Sequence, residues 1–91
     1  MAAELEEKVH RYKELLERAL GDVEIKSPEH LQKVAEYYLT MARSYYEDGI
    51  HFQEKNDLVN ALACFSYGHA WLDAGVRLEV FVVGNKALFT V

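Results

Sequence analysis

The chain has 91 residues, 51% hydrophobic and 27% charged, with 15 acidic against 10 basic side chains and a formal net charge of −5. That length holds one domain, residues 1–91, with a core of limited size, and that balance excludes a disordered chain. The single cysteine, Cys64, excludes an intramolecular disulfide and a cysteine-based zinc site.

The acidic balance, with no Lys/Arg cluster, argues against nucleic acid as a partner, because phosphate neutralisation needs a concentrated basic face. The longest strongly apolar runs, Ala61–Phe65 and Val80–Val83, fall far short of the roughly 20 residues that span a bilayer. The start of the chain is acidic and lacks the apolar core of a signal peptide. No membrane association and a cytoplasmic location are therefore expected.

A first helix is predicted over about residues 3–20. Its apolar positions Leu5, Val9, Tyr12, Leu16 and Ala19 step by 4, 3, 4, 3 and make one stripe, with Gly21 as the stop. A second helix is predicted over about 28–54, with Ser27 as N-cap and Pro28 at the first helical position. Its stripe is Leu31, Ala35, Tyr38, Ala42, Tyr45, Gly49 and Phe52. After a turn at Lys55-Asn56, Asp57 caps a third helix running to about residue 79, with Ala61, Phe65, Gly68, Leu72 and Gly75 as its stripe.

A tight connection makes the second and third helices antiparallel. In a hairpin turning near residue 56, Phe52 then faces Ala61, Gly49 faces Phe65, Tyr45 faces Gly68, Ala42 faces Leu72, and Tyr38 faces Gly75. Each large side chain meets a small one, as interdigitated packing requires. That explains interior glycines which otherwise cost about 1 kcal/mol each against alanine.

The fold class expected is all-α, an antiparallel three-helix bundle. The last segment, residues 80–91, is rich in β-branched and aromatic residues around Gly84-Asn85. Two arrangements fit it: a short β-hairpin, or a third helix prolonged to Val83 with an extended tail beyond. In both, this apolar segment has to pack on the bundle or on another subunit.

The stretch Tyr45-Tyr-Glu-Asp-Gly49, with Ala61 through Leu78, resembles an archaeal family known as domain of unknown function 357. The resemblance takes in nearly the whole chain. It implies a three-helix bundle and supplies no catalytic residues. The same hairpin resembles one tetratricopeptide unit: Gly49, Phe52, Ala61 and Phe65 fall at that repeat's spacing, and Gly68 takes the place of its later alanine. Solenoids need about three units for stability, so a lone unit reads as convergent hairpin packing with a leaning toward protein binding.

Residues that could carry chemistry are few. His10, His30, His51 and His69 are scattered; in the hairpin register His51 and His69 stand about 10 Å apart along the axis at 1.5 Å per residue. No metal site, cofactor or catalytic residue is expected, and the chain is not expected to be an enzyme. His69 and Asp73 lie one helical turn apart. With Tyr45 across the seam they form a candidate polar pocket. Tyr37, Tyr46, Tyr67 and Trp71 form a candidate partner surface, since Tyr and Trp are enriched at interfaces.

The function expected is a small protein-interaction module that self-associates as a homodimer or binds another protein. Two alternatives stand beside it. One is a bundle resembling the RNA-associated HEPN domains, although Arg43 precedes His51 by eight residues, too far for their Arg/His motif. The other is a bundle that binds a small ligand near His69 and Asp73.

Overall fold

In the computed structural model, which describes residues 2–90, three helices account for most of the chain. Helix α1 is Ala2–Asp22, α2 is Gln32–Glu54 and α3 is Leu58–Arg77. Two short strands, β1 (Val23–Ile25) and β2 (Phe81–Val83), pair antiparallel with Val23 opposite Val83, Glu24 opposite Val82 and Ile25 opposite Phe81. Among the described residues no helix is long and apolar enough to cross a membrane.

The expected bundle is present, and α3 is its centre. It packs against α2 along the hairpin and against α1 on its other flank, while α1 and α2 meet much less. The fully buried side chains are led by Phe65 and Leu72 of α3, Leu16 and Val9 of α1, and Val80 beyond α3. On α2 only Ala35, Ala42 and Gly49 are fully sequestered. Small residues there let α3 approach closely, and the larger α2 side chains are left at the seam edges.

The α2–α3 link is the tightest part of the chain. Asn56 sits in the left-handed region at φ 60°. Its N–H reaches the Gln53 carbonyl at 3.0 Å, and the Asp57 N–H reaches the Phe52 carbonyl at 2.8 Å. This double closure uses up orphan carbonyls at the end of α2. Asp57 then caps α3 as expected, its carboxylate accepting from the Asn60 N–H at 3.3 Å and from the Asn60 amide at 2.8 Å.

The same closure recurs after α3. The Glu79 N–H bonds the Val76 carbonyl and the Val80 N–H bonds the Gly75 carbonyl, both at 3.0 Å. Here the left-handed residue is Glu79, at φ 64°, where glycine would carry no Cβ penalty.

The hairpin register holds where it matters most. A Cβ added to Gly49 would collide with the Phe65 ring. One added to Gly68 would lie 3.2 Å from the Tyr45 Cβ, 3.1 Å from the Ala42 carbonyl oxygen and 2.7 Å from a Leu16 methyl. Gly68 thus makes room for α1 as well as α2. Gly75 differs from expectation: the ring against it is Phe81 of β2, while Tyr38 turns edge-on to Trp71 at 5.0 Å. The chain doubles back after Glu79, so its first buried ring occupies the gap assigned to Tyr38.

Two local expectations are corrected. The segment after residue 80 forms no hairpin of its own and does not prolong α3; β2 pairs with β1, the link that follows α1. A hairpin alone is marginal in water, whereas this pair lies against the bundle core through Phe81. Ser27 and Pro28 do not open α2 directly. Pro28 sits extended at ψ 150°, a 3₁₀ turn over Glu29–Leu31 follows, and the Ser27 hydroxyl donates to the Gln32 side chain at 3.1 Å. A tight three-residue turn satisfies the Leu31 N–H on the Pro28 carbonyl before the wider helix begins.

Thermal or urea unfolding of three variants checks these contacts. Phe65→Ala is expected to lose about 3–5 kcal/mol, and Gly75→Ala about 1–3 kcal/mol because Phe81 must move. Glu79→Gly is expected to gain about 1 kcal/mol, raising the melting temperature by about 4–8 °C in a domain of this size. An unchanged or lowered melt would show that Glu79 is not held left-handed.

Candidate functional site

The proposed trio of His69, Asp73 and Tyr45 does not come together. His69 and Asp73 do pair: His69 Nδ1 lies 3.0 Å from Asp73 Oδ2. Their other partners belong to the chain's own last residues. His69 Nε2 lies 2.6 Å from the Leu88 carbonyl oxygen. The Thr90 N–H and hydroxyl donate to Asp73 at 3.0 and 2.7 Å. One turn on, Arg77 donates to the Thr90 carbonyl at 2.8 Å.

Positions 69, 73 and 77 form one stripe at helical spacing. The stripe is a clasp that satisfies the backbone polar groups of an otherwise irregular segment. Leu88 and Phe89 are buried beneath it, and the Phe89 ring stands 5.9 Å from the His69 ring. Asp22 plays the same part at the other end, accepting from the Gly84 and Asn85 N–H groups at 2.8 and 3.0 Å. A cleft of about 240 Å³ remains beside the clasp, between α1 and α3, lined by Tyr12, Leu15, Phe65, Ser66, His69 and Thr90.

Tyr45 lies on the other flank of α3, in a different depression. Its ring stands 5.6 Å from Tyr67. Tyr38 and Tyr37 both meet Trp71 edge-on, at 5.0 and 5.8 Å. Tyr38, Tyr45, Tyr67, Ala70, Trp71 and Ala74 line an open depression of about 320 Å³ along the α2–α3 seam. Tyr37 is 57% exposed and Tyr67 61%.

Three of the four residues of the candidate partner surface, Tyr37, Tyr67 and Trp71, therefore share one face. The fourth, Tyr46, does not. Its hydroxyl donates to Glu17 of α1 at 2.5 Å, and its ring packs 6.0 Å from Phe65. Adjacent residues on a helix point about 100° apart. Tyr45 and Tyr46 accordingly straddle the seam, one facing away from α1 and one toward it. On α3 the same rotation turns His69 away from Gly68, the position that faces Tyr45. Stripe spacing alone predicts Tyr38 and Tyr45 in the core; the alanines at 70 and 74, spaced with Tyr67 and Trp71, are the sequence sign that their rings border a shallow surface.

The remaining reactive side chains stand apart. Cys64 is half-buried, and burial, followed by the nearby Asp48 and Asp57 carboxylates, pushes its thiol pKa up, so the nucleophilic thiolate is disfavoured. His10 pairs loosely with Glu14 at 3.7 Å on the surface, and His51 stacks edge-on to Phe52. Among the described residues no group of three or more His, Cys, Asp or Glu could hold a metal ion.

With this geometry fixed, comparison with other proteins places the chain. The profile of a family described as protein of unknown function (DUF357) matches residues 11–81. The chain belongs to this family. A crystal structure of a DUF357 protein from Archaeoglobus fulgidus is similar in fold, with a TM-score of 0.76 and 24% sequence identity, covering 91% of this chain and 97% of that one. No curated protein matches the chain. The solved structure shares the three-helix fold, and neither comparison assigns an activity.

Tyr46 offers a titration test. Burial first, then the bond and the charge of Glu17, raise its phenol pKa from 10 to about 12. Folding favours the protonated phenol, so above pH 10 the unfolded chain loses its proton first and stability falls as pH rises toward about 12. Melting curves from pH 9 to 12 should therefore drop more steeply for the parent than for Tyr46→Phe. Parallel curves would rule out the Glu17 contact.

Proposed function

We propose that this DUF357 chain is a non-enzymatic protein-interaction module that docks through the aromatic face of α2 and α3. One observation carries the reading: Tyr38, Tyr45, Tyr67 and Trp71 line a single open depression, Tyr37 stands edge-on to Trp71 beside it, and the Tyr37 and Tyr67 side chains are more than half exposed. Rigid aromatic side chains lose little conformational freedom on binding and dominate interface energetics. A gathering of them on one face of so small a domain is the composition of a docking surface.

The clasped tail supports the same reading. Its apolar side chains are engaged by the chain's own α3, which leaves the aromatic face as the main unpartnered apolar feature among the described residues. The place of work in this proposal is the cytoplasm.

Self-association is the form of docking that needs only this chain. Sedimentation velocity over a concentration series is expected to show a reversible dimer for the parent and a monomer for the double variant Tyr37→Ser, Tyr67→Ser. Both positions are exposed, so the melting temperature should stay within the small range typical of surface changes. A parent that stays monomeric throughout would refute self-association.

A further inference from the structure

We propose that the aromatic depression on α2 and α3 takes an arginine side chain presented by a partner protein. The inference rests on the docking reading above and names the group the face recognises.

Geometry supplies the first argument. The depression is bordered by two ring pairs, Tyr38 with Trp71 at one end and Tyr45 with Tyr67 at the other. Tyr38 and Tyr45 are seven residues apart on α2, about 10 Å at the helical rise. A cation is attracted by an aromatic face within about 6 Å of the ring centroid. A charged group midway between the pairs is about 5 Å from each along the helix axis, inside that range. Ala70 and Ala74 line the space with nothing larger than a methyl group, so a side chain can enter.

Charge supplies the second. None of the six lining residues is charged. The only cation over an aromatic ring among the described residues is Arg11 over Tyr12, which lies on α1. The whole chain carries −5. Asp48 lies one turn beyond Tyr45 on α2, and its carboxylate acts on Cys64, one turn before Tyr67 on α3. An acid therefore stands at the Tyr45–Tyr67 end of the seam. Lys33 stands five residues before Tyr38, about 8 Å by helical rise, and so lies outside the interval between the two ring pairs.

Arginine fits better than lysine. Its guanidinium is planar, stacks on aromatic faces, is less strongly hydrated than an ammonium group, and can present its edge to a carboxylate. Rings on two sides and Asp48 at one end offer both kinds of contact.

Trp71 is the only tryptophan, so its fluorescence reports the site. The probes are a short blocked peptide with one arginine between glycines, the same peptide with neutral, isosteric citrulline, and the same peptide with lysine, all at low salt. Saturable quenching by the arginine peptide is expected, with binding at least tenfold weaker for citrulline and several-fold weaker for lysine. Tyr67→Ser, at an exposed position, should weaken arginine binding at least fivefold, and Asp48→Asn should weaken it about threefold.

Binding that survives Tyr67→Ser would be adhesion to an acidic surface and would overturn the site. Citrulline binding as tightly as arginine, but still lost in Tyr67→Ser, would overturn the cation and leave the docking face standing. Lysine equal to arginine would overturn the choice of guanidinium. No quenching by any peptide would also overturn the proposal, whereas the sedimentation series answers self-association separately.

Discussion

The structure depends on the close approach of α2 to α3, and that approach depends on small residues. Gly49 admits the Phe65 ring, and Gly68 admits Leu16 and the backbone of Ala42. Helix axes come near enough for interlocking only where side chains on one surface leave holes for those on the other. Each of these glycines lowers intrinsic helix stability. Burial of Phe65, Leu72 and Leu16 offsets that loss, because a fully buried large apolar side chain contributes about 1.5–3 kcal/mol.

The same economy of small residues produces the aromatic face. Since α2 buries only alanine and glycine fully, its tyrosines cannot enter the core. They are displaced to the two edges of the seam. On the edge beside α1, Tyr46 is taken up by Glu17 and Phe65. On the other edge no third helix covers Tyr37, Tyr38 and Tyr45, and their rings assemble with Tyr67 and Trp71. The depression is thus a consequence of how three helices share one core, with α1 lying chiefly on α3.

The clasp at the end of the chain has a complementary logic. An irregular segment can lie against a helix only if its backbone groups find partners. His69, Asp73 and Arg77 supply them from one face of α3, and Asp22 supplies them from the end of α1. A histidine and an aspartate one turn apart look like a reactive pair when only their spacing is known. Here their geometry anchors Leu88 and Thr90, and the polar pair is absorbed by the fold.

The sequence by itself determined the three helices, the Asp57 cap, the turn at Asn56 and the seating of Phe65 against Gly49, because these follow from periodicity, capping chemistry and a short link. Family membership was also legible, from Tyr45–Gly49 and Ala61–Leu78. Only the tertiary structure decided what the last residues do. The pairing of Phe81–Val83 with Val23–Ile25 joins segments far apart in the chain, each too short to carry a periodic signal of its own. Tertiary structure likewise decided which edge of the seam each tyrosine occupies. Helical spacing fixes the angle between Tyr45 and Tyr46, but only the placement of α1 determines which of them is covered.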